Sequence, residues 1–267
     1  MTEQAPAAAS IDTSRPHPAR MYDYYLGGQD NYEVDRAAAE QLMAATPDVR
    51  RSARANRDFL QRVVADVVRS GVRQILDIGT GIPTSPNTHE AAHAVDPGAR
   101  VVYVDNDPIV SVYAGAKLTS TPGTGFVLAD LRDPAAIAES ETLNGLIDLD
   151  EPVAVLLVSV LHFVADSEDP KGLLRALTER LAPGSRLVIS HATADFHSPE
   201  VGERGAEIYA RATAGLRLRT RDEVVGLFEG FALEEPGVVQ VSHWRPERQP
   251  TEDDGRVAVY GGLAVKS

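Results

Sequence analysis

Short, almost uninterrupted apolar runs recur along the chain at Gln74–Ile78, Val101–Val104, Phe126–Leu128, Pro152–Val158 and Arg186–His191. Runs of this kind fit strands covered on both faces of a parallel sheet. Helix signals lie between and after them. Asp133-Pro134 and Asp169-Pro170 each set an N-cap before a proline at the first helical position, and the second is followed by Leu173, Leu174, Leu177 and Leu181. Thr220 and Glu223 have capping-box spacing at the head of Val224, Val225, Leu227 and Phe228, with Gly230 as the stop. The alternation predicts a doubly wound α/β sheet. The last two apolar stretches, 231–242 and 257–265, have no helix between them and predict an antiparallel hairpin. Upstream, residues 37–45 are strong helix formers before Thr46-Pro47. The pairs Phe59/Leu60, Val63/Val64 and Val67/Val68 then recur every four residues as far as Gly71. The expected division is a disordered tail over 1–14, a helical arm or lid over 15–70, and the sheet body over 71–267.

Chemistry collects at the ends of the predicted strands. The first closes in Asp77-Ile78-Gly79-Thr80-Gly81, the second in Asp105-Asn106-Asp107 and the third in Asp130. Glycines at 79 and 81 let the backbone approach a ligand closely. Asp105 is placed to accept both hydroxyls of a ribose, one on each carboxylate oxygen, and Asp130 to accept from an adenine amino group. A pyrophosphate turn needs a third glycine near residue 84, where this chain reads Ile82-Pro83-Thr84. That departure favours an adenosine without a diphosphate, for which S-adenosyl-L-methionine (SAM) fits, and counts against a nicotinamide oxidoreductase. By itself the glycine turn is also compatible with a plain strand-to-helix corner.

Composition narrows the classes. With 267 residues, 43% hydrophobic and 24% charged, the chain is long enough for a sizeable core. Zero cysteines exclude disulfides, thiolate metal sites and a cysteine nucleophile, and they suit a cytoplasmic location. No apolar stretch is long enough to span a membrane, and the N-terminus lacks the features of a signal peptide. The net charge of −13 disfavours a nucleic-acid partner. Arg50, Arg51, Arg54, Arg57 and Arg62 crowd one helix and are expected to form a solvated face. His89 and His93 lie four apart and are expected on a helix surface or pocket wall; no metal site is predicted.

The segment from Arg20 to Arg36 holds four of the chain's eight tyrosines around Gly27-Gly28. It suits either a helix and loop packed on the body or a lid over the ligand, with Tyr22, Tyr25 and Asn31 supplying walls and hydrogen bonds. Tyr22-Asp23-Tyr24-Tyr25-Leu26-Gly27-Gly28, Asp77-Ile78-Gly79-Thr80-Gly81-Ile82-Pro83-Thr84, Asn87-Thr88-His89-Glu90, Val104-Asp105-Asn106-Asp107-Pro108 and Val160-Leu161-His162-Phe163 together resemble the S-adenosyl methyltransferase family, across about residues 15 to 266.

The resemblance implies a Rossmann-like, seven-stranded SAM-methyltransferase sheet of order 3-2-1-4-5-7-6 with the last strand antiparallel. It also implies SAM as cofactor and S-adenosylhomocysteine as product. Carried onto this chain, Gly79, Thr80 and Gly81 flank the methionine end, while Asp77 orients the loop and the ligand's ammonium. Asp105 and Asn106 meet the ribose, Asp130 and Leu131 face the adenine, and Ser159 adds a contact after the fourth strand. His162 is the candidate general base, with His89, Tyr25 and His191 behind it. No Asn-Pro-Pro-Tyr tetrad follows the fourth strand, which argues against methylation of base or glutamine amino groups by that route. The expected acceptor is an oxygen or nitrogen of a small molecule. The alternative is a SAM-binding sensor or partner protein without turnover.

Overall fold

The computed structural model describes residues 12–267, so most of the tail expected over 1–14 lies outside the described residues. Three helices open the fold: α1 (Pro18–Leu26), α2 (Glu33–Ala45) and α3 (Val49–Arg69). The strands are β1 (Gln74–Ile78), β2 (Arg100–Asp105), β3 (Thr124–Leu128), β4 (Ala154–Val158), β5 (Arg186–Ala192), β6 (Phe231–Leu233), β7 (Val239–Gln240) and β8 (Val259–Lys266). Between them run α4 (Thr88–His93), α5 (Pro108–Lys117), α6 (Pro134–Ala138), α7 (Glu141–Leu146), α8 (Pro170–Thr178), α9 (Pro199–Tyr209) and α10 (Arg221–Val225).

The sheet order is β3-β2-β1-β4-β5-β8-β6, with β7 also paired to β8. Strands β1 to β5 are parallel, and β8 runs antiparallel to β5 in a register that sets Ile189 opposite Gly262. This is the expected Rossmann-like topology with one change: the stretch 231–242 is two strands. Pro236 has no N–H for a ladder and Gly237 turns back at φ +77°, donating to Glu234 O at 2.7 Å, so pairing with β8 breaks and resumes.

Alternation along the strands sorts the core onto both faces. Leu76, Ile78, Val102, Val104, Val155 and Leu157 pack beneath α8 and α10 with Leu174 and Val224. Ile75, Val101, Tyr103, Ala154 and Leu156 pack against Phe59, Val63, Val64 and Val67 of α3. Trp244 closes that second layer, fully buried, its ring edge-on to Phe59 with centroids 5.3 Å apart. The expected division at residue 70 thus runs through one continuous cluster. A third cluster joins Met21 and Tyr25 of α1, Ala39 and Leu42 of α2, Ala53 of α3, and Ile208 and Tyr209 of α9.

The arginines of α3 are mostly not the solvated face expected of them. Arg62 donates to Val241 O (2.7 Å) and Trp244 O (3.2 Å), and Arg57 to Thr84 O and Pro86 O (both 2.6 Å). Arg51 pairs with Asp48 and Asp253, Arg50 lies over the Tyr24 ring, and of the five only Arg54 is exposed. His89 is also displaced from its expected place. It is buried, with its Nδ1 and its backbone N–H both 2.8 Å from the Tyr103 hydroxyl, and it does not reach the cleft described below.

Among the described residues no helix is long and apolar enough to cross a membrane.

Candidate functional site

A cleft of about 510 Å³ opens at the carboxyl ends of β1, β2, β4 and β5, roofed by α1, α3 and α9. Ligands of open α/β sheets bind at this edge, where the strand order reverses. Here the reversal falls between β1 and β4.

The turn after β1 is built from two left-handed glycines. Gly79 (φ +74°) donates to Val104 O at 2.7 Å, and a Cβ there would lie 2.2 Å from Val160 Cγ2. Gly81 (φ +67°) donates to Asp105 Oδ2 at 2.7 Å, and a Cβ there would meet nothing within 4 Å. The first glycine is thus required by packing, the second by conformation and by the open space it faces.

Asp105 is buried. Its Oδ1 accepts from Asp107 N at 2.9 Å, so each carboxylate oxygen already holds one backbone N–H and offers its remaining lone pair to the cleft. The acid thus also ties the two strand tips together. Asp77 accepts from Thr88 Oγ1 at 2.6 Å through Oδ2, Oδ1 has no partner among the described residues, and Thr80 Oγ1 donates to Asp77 O at 3.1 Å. Burial pushes the carboxyls of Asp77 and Asp105 up to about 6. At the tip of β3, Asn106 Nδ2 donates to Asp130 Oδ2 (2.7 Å) and Arg132 N to Asp130 Oδ1 (2.9 Å), with Leu131 beside them in the wall.

After β4, Ser159 adopts φ +61°, a strained value for a residue other than glycine. Its N–H donates to Ser190 Oγ at 2.9 Å. Ser190 Oγ donates to Asn56 Oδ1 (2.6 Å), Asn56 Nδ2 to the Tyr22 hydroxyl (2.9 Å), and that hydroxyl to Ala53 O (3.0 Å). A polar chain therefore runs from β4 through β5 up to α3 and α1, from the strand tips to the roof of the cleft. His162 also lines the cleft. Its Nδ1 accepts from Ala192 N at 3.3 Å, its ring packs on Phe163 and His191, and burial holds the imidazole well below its usual range.

Of the residues expected at the site, Tyr22, Tyr25, Asp77, Gly79, Thr80, Gly81, Asp105, Asn106, Asp130, Leu131, Ser159 and His162 line this cleft. Tyr25 stands against Tyr209 in the cluster shared with α9. Asn31 is not among the lining residues: its amide donates to Asp23 Oδ2 (2.7 Å) and Gly28 O (3.1 Å) and braces the loop after α1. His191 is turned away, bonded to Ala192 O and to Arg219. The sequence reading missed the wall formed by Thr193, His197, Gly202, Gly205 and Tyr209, and the place of His17, whose Nδ1 lies 3.2 Å from Asp107 Oδ2. Ser198-Pro199 marks the start of α9 by the same proline device that marks α6 and α8, and would have revealed it.

The residues present fit SAM. Acceptor atoms of Asp77 and Asp105 face the cleft beside a backbone stripped of side chains at Gly81, and the adjoining walls are apolar. The profile of the S-adenosyl methyltransferase family matches residues 4–267. A DUF574 family protein from Streptomyces avermitilis is 45% identical over 96% of this chain and 100% of its own, with a TM-score of 0.92. A putative methyltransferase from Thermobifida fusca is 36% identical over 99% of this chain and 100% of its own, at 0.91. An O-methyltransferase family protein from Burkholderia thailandensis, 13% identical over 92% of this chain and 64% of its own (TM-score 0.54), shares the fold. No curated protein matches the sequence. With the sheet order, the glycine turn and its two acids in place, the chain belongs to the S-adenosyl methyltransferase family, whose cofactor is SAM.

Proposed function

We propose that the chain transfers a methyl group from SAM to an oxygen or nitrogen of a small molecule. The observation that carries this reading is the division of a single cleft. One part holds the acids and glycines of the β1 and β2 tips, and the other, at the β4 and β5 tips, is walled by α1 and α9.

When bound, SAM supplies a methyl carbon activated by its sulfonium. The protein's part is alignment, which lowers the barrier by several kcal/mol when donor and acceptor are held in line. Asp105 accepts from the ribose hydroxyls with its remaining lone pairs. Asp77 Oδ1 accepts from the ammonium, and the Gly79–Gly81 backbone passes close beneath the methionine end. Asp130, oriented by Asn106, faces the adenine together with Leu131. Ser159 at the tip of β4 and Tyr22 in the roof, joined through Ser190 and Asn56, stand between the two parts.

His162, the candidate base in the sequence, is placed to meet the acceptor's polar atom, as a donor. Its Nδ1 accepts from Ala192 N–H and burial keeps the ring neutral, so Nε2 carries the proton and is a donor. That N–H can donate to an oxygen or nitrogen lone pair of the acceptor and so hold the molecule in place beside the methyl group.

Calorimetric titration with SAM, S-adenosylhomocysteine and NADH, followed by incubation of the protein with methyl-labelled SAM and a small-molecule extract, tests the proposal. Binding of both SAM and S-adenosylhomocysteine with label appearing in the extract supports it. Binding without transfer to any fraction favours the sensor, and binding of NADH alone rejects both.

A further inference from the structure

Among the described residues, the cleft is lined by two arginines and no lysine: Arg57 from α3 and Arg132 after β3. Arg132 is engaged at the adenine end, where its guanidinium bonds Glu168, Asp130 and Phe163 O. Arg57 is held differently. Its Nη2 donates to Thr84 O and Pro86 O, both at 2.6 Å, which fixes the guanidinium against the segment that follows the glycine turn. Its Nη1 and Nε have no partner among the described residues, and the side chain is only partly buried where it meets the cleft. Its charge also reaches Asp77: burial raises that carboxyl, and Arg57 pulls it part of the way back.

The methionine end of the cofactor carries a carboxylate as well as an ammonium. The ammonium has Asp77 Oδ1. The carboxylate enters a region that already holds the buried acids Asp77 and Asp105, and a further negative charge brought out of water there needs a cation or several free N–H groups. The turn does not offer them, because the N–H groups of Gly79 and Thr80 are bonded to Val104 O and that of Gly81 to Asp105. The guanidinium of Arg57, already oriented and with donors to spare, has the planar fork that matches a carboxylate.

We infer that Arg57 binds the carboxylate of the cofactor's methionine end through Nη1 and Nε, and so makes the cleft selective for a cofactor whose amino-acid end is intact. The inference rests on SAM as the cofactor, and holds whether the chain transfers the methyl group or only binds its donor. It gives Arg57 a place in the site where the sequence predicted a solvated helix face.

The test is calorimetric titration of the full chain, Arg57→Gln and Arg57→Lys with two ligands: S-adenosylhomocysteine, and S-adenosyl-3-thiopropylamine, which keeps the adenosine and the ammonium but has no carboxylate. The unaltered chain should prefer S-adenosylhomocysteine by at least about tenfold. Arg57→Gln should reduce that preference to about twofold or less by weakening S-adenosylhomocysteine alone, and Arg57→Lys, which keeps the charge without the fork, should fall between. A residue that only braced the segment 84–86 would weaken both ligands alike and leave the preference intact. Equal binding of the two ligands to the unaltered chain overturns the inference. So does an undiminished preference in Arg57→Gln, or in Arg57→Lys should the glutamine variant not fold. No binding of S-adenosylhomocysteine to the unaltered chain overturns the cofactor assignment and the inference with it, an outcome distinct from binding without preference.

Discussion

The carboxylate of Asp105 accepts the backbone N–H of Gly81 at 2.7 Å, so the tip of β2 and the turn after β1 form one hydrogen-bonded unit. A ligand held by Asp105 is held by a group already fixed against the loop it must fit. Loss of this acid has two consequences that can be measured separately.

Asp105→Ala is expected to weaken SAM binding by at least about tenfold, since each hydrogen bond to a charged group contributes roughly 1.5–3 kcal/mol. It also leaves Gly81 N and Asp107 N without their acceptor, so the thermal midpoint falls in the absence of ligand. Calorimetry and thermal denaturation of the same variant check both. An unchanged midpoint with lost binding would show that the strand tips do not depend on the acid.

The two glycines of the turn should fail in different ways. In Gly79→Ala the new methyl lies 2.2 Å from Val160 Cγ2 at a positive φ, and a loss of about 2–4 kcal/mol in urea denaturation is expected. In Gly81→Ala the methyl meets no protein atom, the cost is about 1–2 kcal/mol, and the larger effect falls on SAM affinity because the methyl projects where the ligand would lie.

Acidity links stability and binding in opposite directions. Burial raises Asp77 and Asp105 from 3.8 to about 6. Each therefore contributes stability that is fully present below 3.8 and is lost as pH rises through about 6. Ligand binding uses the ionised acids, so SAM affinity should rise across that same window, by up to about tenfold per group between pH 5 and pH 7. Titrations over this range check it; Asp105→Asn should flatten the dependence, and an equally steep profile in that variant would assign it elsewhere.

Tyr22→Phe cuts the polar chain that joins α1 to Asn56 and Ser190. A loss of about 1–2 kcal/mol is expected, with faster amide exchange in α1 than in β5. Uniform exchange across both would mean that the tyrosine hydroxyl does not hold the helix down.

The strands announced themselves because a parallel sheet covered on both faces needs continuous apolar runs, and β1, β2, β4 and β5 have them. Helix α3 was equally plain, since Phe59, Val63 and Val67 repeat at helical spacing. Helix α9 was not, because Gly202 and Gly205 remove the apolar side chains that would have shown its inner face. The arginines of α3 misled for another reason: the carbonyls that Arg62 satisfies belong to Val241 and Trp244, far along the chain, and local composition carries no trace of them. The tyrosine-rich segment was read as either lid or packed helix, and Met21 and Tyr25 lie in a buried cluster with α2 and α9. Removing residues 1–36 would strip that cluster as well as the roof of the cleft.

The chain's one tryptophan is buried edge-on against Phe59 beneath the sheet and does not line the cleft. Its emission is consequently a reporter of the packed layer between α3 and the strands. It should respond strongly to denaturant and scarcely at all to an occupant of the cleft, which makes the protein's intrinsic fluorescence a clean optical readout of folding during any ligand titration.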